Sequence, residues 1–413
     1  MVLAEPNAVS GVLPFIKTLY PDQSNATIQL FITTGALGAI FGSLLLSVLG
    51  NKVRKRTIVM VSLVVFTLGG MLPVLIIGHT AYIWVLVSRL FMGASLGILG
   101  PLLAALIALF YRKGRARDDM MGLQTTLTCI FGFAMPLIAG ALILIQWRLS
   151  FLVYLLGLVC LGLFWKYVPE PVQIGEEQRK AAQGELKGYT FANLKLPSGV
   201  WFGALFMAVT QLCTGVFLFG TSLVIVDEKQ IGSATMASWI TALYYVVGAL
   251  VGIVFGGIYS RLKNYTGSIV LIIWAISAFA AYKTMSLVAF FAAAIFGGVV
   301  QVYVSFILTA VNREVPSKQA STASSVVYLL MQTAGFVSPY ALTWIAITLT
   351  GKDSVNNEFL GASVVIAVLA VVSGLYYMVH RIPDAEDPSE EVKDEGLTDL
   401  MTQPASGSPV ETN

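Results

Sequence analysis

Apolar runs separated by short polar breaks fill almost the whole chain. They fall at roughly 1–20, 27–50, 57–78, 81–111, 121–145 and 149–169, and again at 199–224, 235–259, 266–285, 287–311, 322–348 and 357–380. A helix needs about 20 apolar residues to cross the ~30 Å hydrocarbon layer, and each run has that length. Barrel strands would alternate with a period of two over about ten residues, which these runs do not. The pattern predicts an all-α polytopic membrane protein with twelve transmembrane helices, six before a polar interruption and six after it.

The interruption, residues 170–198, carries Glu176, Glu177, Arg179, Lys180, Glu185 and Lys187, a mixture that does not embed in lipid. It reads as a cytoplasmic linker between an N-terminal bundle over 1–169 and a C-terminal bundle over 199–381. Residues 382–413 hold nine acids against one lysine and few large apolar side chains, the composition of a disordered tail. Overall composition agrees with embedding: 57% of residues are hydrophobic, only 11% are charged, and mean hydropathy is +0.81. Soluble domains carry about 25% charged residues.

Charge placement orients the spans. One side collects Lys52, Arg54, Lys55, Arg56, Arg112, Lys113, Arg115, Arg117, Lys166, Arg179, Lys180, Lys187, Lys195, Arg261, Lys263, Arg313, Lys318, Arg381 and Lys393; the other holds only Lys17, Arg148, Lys229, Lys283 and Lys352. By the positive-inside rule the rich side is cytoplasmic, which puts both termini there, in a plasma (inner) membrane. The first run is short and bent by Pro6 and Pro14. Either it starts flush with the membrane or part of a longer native helix precedes Met1.

Chemistry-bearing residues are few. Cys129, Cys160 and Cys213 lie in apolar runs without metal-ligand spacing, and His79 and His380 sit at span ends. No catalytic constellation, phosphate loop or metal cluster is visible, so an enzyme, a metal or an organic cofactor is not expected, and nothing points to nucleic acid. Arg89 is the one charge in the run 81–111, where an arginine costs about 2.5–3.5 kcal/mol unless it faces a partner or cavity. Snorkelling to water is its bland alternative. Glu5 reads as the only acid within a span, with none inside the second six. Gly93 and Gly97, four apart after Arg89, present a bare stripe to a neighbouring helix.

The halves echo one another. Ser47–Arg56 is answered by Gly256–Asn264, Gly132-Phe-Ala-Met-Pro136 by Gly335-Phe-Val-Ser-Pro339, and Phe91-Met-Gly93 by Phe296-Gly-Gly298. Two parallel six-helix repeats around a central cavity are the architecture of an alternating-access transporter. These residues resemble the major facilitator superfamily over nearly the whole chain. The family's loop after the second span corresponds to Asn51, Lys52, Lys55 and Arg56, with Arg261 in the second half; Asn51 stands where the family has an acid in its conformational latch. Arg89, Gly93 and Gly97 match the fourth-span pattern linked to proton coupling. Gly132, Pro136 and Gly140 resemble the fifth-span motif of drug/proton exporters, and Trp147-Arg148 with Phe151 looks like the family's entry to the sixth span.

Glu5 and Pro14 keep the acid-to-proline spacing of proton-coupled exporters. The resemblance thus implies proton coupling at Glu5 and Arg89, a latch at the loop residues, and packing or hinges at Gly93, Gly97, Gly132, Pro136, Gly335 and Pro339. Neutral polar and aromatic residues in the spans are the candidates for substrate contact: Asn7, Gln124, Gln211, Gln301 and Gln332, with Trp239, Tyr244 and Tyr245. They suit a small amphipathic organic compound, exported at the expense of the proton gradient by a monomer. The alternatives are proton-coupled uptake of an organic acid, with Arg89 on its carboxylate, and a membrane receptor that moves nothing.

Overall fold

The computed structural model describes residues 8–49, 53–110, 115–168, 196–254, 258, 261–315 and 317–380. The N-terminal half contains α1 (Leu13–Leu19), α2 (Asn25–Leu49), α3 (Lys55–Ile76), α4 (Tyr82–Phe110), α5 (Arg115–Ile145) and α6 (Leu156–Tyr167). The C-terminal half contains α7 (Ser198–Gly215), α8 (Ala234–Ile253), α9 (Thr266–Lys283), α10 (Leu287–Gly297, continued through Gln301–Arg313), α11 (Ser317–Thr350) and α12 (Val355–Val379). Among the described residues there is no strand, and ten helical stretches are long and apolar enough to cross a membrane. The other two positions are α1, of which only a short helix is described, and α5, whose apolar part is Ile130–Ile145.

Local sequence explains the departures from straight helix. Pro14 occupies the start of α1, where a missing N–H costs nothing, and a 3-10 turn at Ser10–Val12 leads into it. Beyond Gly215, α7 continues through two π-helical segments, Val216–Gly220 and Val224–Glu228. Such segments leave carbonyls for other donors. Just before them the Ser338 hydroxyl, next to Pro339 of α11, donates to Leu212 O.

Within the N-terminal half, α2 lies against α4 with backbones almost touching. A Cβ on Gly93 would fall 2.0 Å from Gly35 O, and one on Gly97 2.0 Å from Ala39 O. In the C-terminal half α11 packs on α7 and α12 on α9. The halves meet along α2 with α11 and along α5 with α8. Gly11 and Gly140 allow that second approach, each with Ser238 of α8 directly opposite.

Hydrogen bonds and ion pairs between the halves, among the described residues, gather toward one end. Ser222 Oγ donates to Ser10 O at 2.8 Å, Ser10 and Thr241 hydroxyls lie 3.5 Å apart, and Thr27 and Tyr340 hydroxyls 3.2 Å apart. Lys17 Nζ stands 3.8 Å from Asp227. This end carries the turns with His79 and Lys352 and is poor in basic residues; it is called the sparse end below, and its opposite the basic end.

Candidate functional site

Arg89 is sealed inside the N-terminal half at 1% exposure, about 10 Å of helix below the start of α4, so it does not snorkel. Three rings surround its guanidinium: Phe31 of α2 at 4.0 Å, Tyr154 at 5.1 Å and Phe151 at 5.6 Å from ring centre to Cζ. Such stacking attracts a cation, more strongly where water is excluded. Nη1 donates to the Tyr154 hydroxyl at 2.6 Å and to Met92 Sδ at 3.2 Å. Nε and Nη2 are buried and have no partner. Those two donors form one edge of the guanidinium, the fork that fits a carboxylate or a comparable planar anion. Gly70 makes the cage possible, because a Cβ there would enter the Tyr154 ring.

A second buried charge lies on the opposite side of α2. Glu358, four residues into α12, has 0% exposure, and Gln29 Nε2 donates to its two oxygens at 3.1 and 3.5 Å while Thr343 Oγ1 donates at 2.8 Å. Gln29 and Phe31 are two residues apart, about 200° around the helix, so α2 turns Phe31 to the arginine of its own half and Gln29 to the acid of the other. This corrects the expectation that Glu5 is the only acid within a span. It equally corrects the expectation that the second six spans hold no acid, since Glu358 lies within the last run, 357–380. Glu5 itself, with Asn7, lies outside the described residues.

The end of α7 supplies three further charges in a row. Asp227 faces Lys17; Glu228 accepts from Val355 N at 2.7 Å, Asn356 N at 2.8 Å and Ser354 Oγ at 2.8 Å; Lys229 Nζ donates to Ala281, Tyr282 and Thr284 carbonyls at 2.6–2.8 Å. An acid at the start of α12 and a base at the end of α9 each oppose the helix partial charge there. Burial draws the Lys229 ammonium down to about 8, against the opposing pull of Glu228. At the basic end, burial pushes the Glu314 carboxyl above its ordinary range, opposed by His380.

The model of the Major Facilitator Superfamily matches this sequence twice, over residues 7–231 and 205–409. The chain belongs to the major facilitator superfamily. Among solved structures similar to it, a bacterial homolog of the human lysosomal transporter Spinster, inward-facing and unoccupied, superposes with a TM-score of 0.69 at 16% identity, covering 92% of this chain and 93% of that one. A point mutant of the nucleoside transporter NupG gives 0.68 at 13% over 92% and 97%, and a D-xylose–proton symporter 0.68 at 14% over 93% and 95%. At such identities the likeness is one of fold. A comparison with curated proteins finds no match. As a superfamily member the protein is a multi-pass membrane transporter, and relatives of these kinds work without an organic cofactor.

The remaining superfamily-motif residues have these positions. Gly132 and Pro136 are buried in α5, Gly335 lies 3.7 Å from Gln211 of α7 as measured from an added Cβ, and Pro339 is inside α11. Arg56 Nη2 donates to Trp165 O, which ties α3 to α6 within one half. Lys55 is half-buried and Arg261 exposed, while Asn51 and Lys52 lie outside the described residues. Gln211, Gln301, Gln332 and Tyr245 are partly buried, and Trp239 is 38% exposed beside Gly140. The Gln124 side chain is outside the described set. Tyr244 departs from a cavity-lining role: it is 1% exposed, stacks on Phe217 and accepts from Trp274 Nε1 at 3.3 Å, as part of the C-terminal core.

Proposed function

We propose that this superfamily member moves small amphipathic organic compounds outward by proton-coupled alternating access, with the basic end and both termini in the cytoplasm. The observation that carries the reading is Arg89, a guanidinium sealed among aromatic rings with one donor edge unused. A buried cation kept half-satisfied costs about 1–3 kcal/mol for each unmet donor, which a purely structural role would not require. The clustering of cross-half hydrogen bonds at the sparse end supports alternation, since it holds that end shut. Glu5, in the first apolar run, is the proposed proton carrier.

The free edge of Arg89 also favours a second reading, proton-coupled uptake of an organic acid whose carboxylate docks on Nε and Nη2. Proteoliposomes with an imposed pH gradient separate the two when lipophilic cations, neutral drugs and carboxylates are screened together. Gradient-driven movement of cations or neutral compounds against the proton flow supports export; movement of carboxylates with it supports uptake. No gradient-dependent flux of any class, from protein shown to be folded, would remove both.

A further inference from the structure

Glu358 is a buried acid whose surroundings suit a proton better than a negative charge. The side chain belongs to the C-terminal half, yet two of its three short contacts come from Gln29 of the N-terminal half. From α11 it meets only the Thr343 hydroxyl, and the charged groups near enough to act on it, Glu228 and Asp353, are both acids. A sealed carboxylate with no base beside it is costly to keep ionised.

Gln29 supplies the second observation. Its Oε1 is buried and has no partner, although its Nε2 already donates to the acid. A proton on Glu358 would turn the pair into a reciprocal acid–amide contact, in which the carboxyl O–H donates to Gln29 Oε1 and Gln29 Nε2 donates back. One proton therefore removes a buried charge and fills a buried acceptor together. Asn25 Oδ1 and Thr33 Oγ1 are also buried without partners, and with Gln29 they follow an i, i+4, i+8 stripe on α2. That stripe, about 12 Å long, gives the seam a polar lining that water can enter once the halves part.

We propose that Glu358 is a proton-binding site that locks the sparse end: protonated it pairs with Gln29 and holds the halves together, and deprotonated it lets them separate. This rests on the alternating-access reading above but not on which compound is moved or on Glu5. When the sparse end opens, Gln29 leaves with α2 and the carboxyl meets the bath on that side. Acid on the sparse side would then favour closure there and exposure of the cavity to the basic end.

The test is a distance measurement that needs no substrate. Spin labels are placed at Asp22 and Lys352, both exposed and on opposite halves at the sparse end, after replacement of the three native cysteines, in the full chain in lipid nanodiscs. Across pH 5 to 9 the parent is expected to pass from a short to a long distance. Glu358→Gln, which can pair with Gln29 without a proton, is expected to keep the short distance throughout. Gln29→Leu is expected to populate the long distance even in acid, and His79→Gln to behave like the parent, which excludes the histidine on the same end. A parent distance that ignores pH, or a Glu358→Gln protein that responds like the parent, overturns the proposal. Absence of transport in proteoliposomes together with a pH-dependent distance would instead sink the transport reading and leave the lock standing.

Discussion

Replacing Arg89 by Met tests whether the guanidinium is kept for function or for stability. Met has similar length, no charge and a flexible thioether able to fill the space among Phe31, Phe151 and Tyr154. Against the change, the variant loses a charge-assisted bond to Tyr154, worth about 1.5–3 kcal/mol, and ring stacking worth about 2 kcal/mol when desolvated. In its favour, two buried donors without partners disappear, each costing about 1–3 kcal/mol. The opposing sums overlap, as they often do when a buried ion is exchanged for an apolar residue of like volume. Arg89→Met is therefore expected to unfold in detergent within a few degrees of the parent while losing gradient-driven transport of whichever compound the screen identifies. Arg89→Lys should also fail, because a single ammonium cannot present the two-donor edge. A fall in melting temperature of ten degrees or more with transport per folded molecule preserved would refute the reasoning and make Arg89 a structural residue.

Other expectations follow from packing and capping. Gly93→Ala should greatly reduce folded protein by size-exclusion chromatography, since the added Cβ meets the backbone of Gly35, whereas Gly252→Ala, with nothing within 4 Å, should be neutral or gain about 0.5–1 kcal/mol. Glu228→Ala should lower thermal stability by about 1–2 kcal/mol through the unsatisfied start of α12, and Glu228→Gln by less because its amide oxygen still accepts. Lys229→Ala should cost a similar amount at the end of α9, read by the same melting assay, with Lys229→Gln partly restoring it.

What the sequence makes legible is the part written in hydropathy. Twelve runs, the split into halves and the solitary Arg89 stand out because the run 81–111 holds no other charge. The Arg89 cage does not, since Phe31, Phe151 and Tyr154 come from distant runs in which aromatic residues are common. Glu358 escaped for a different reason: an acid four residues from a span end looks solvated, and only the approach of α2 and α11 buries it. Gln29, a lone amide near the start of its run, gave no signal that it faces an acid 329 positions away. Tyr244 looked like a wall of the cavity beside Tyr245, and the two differ because adjacent helical residues point about 100° apart.

The tripeptide Asp227-Glu228-Lys229 fixes how the molecule can come apart. Glu228 and Lys229 fasten the tip of α7 to the beginning of α12 and the end of α9 through six short hydrogen bonds, all inside one half. Asp227 reaches the other half only across a 3.8 Å gap to Lys17, between partly exposed side chains and without a hydrogen bond, the kind of pair worth about 1 kcal/mol or less. Three neighbouring residues on one backbone thus hold welds and a weak seam side by side. A separation at the sparse end that breaks the Lys17 pair leaves those six bonds intact, so the tip of α7 stays clamped to α9 and α12 and moves with them.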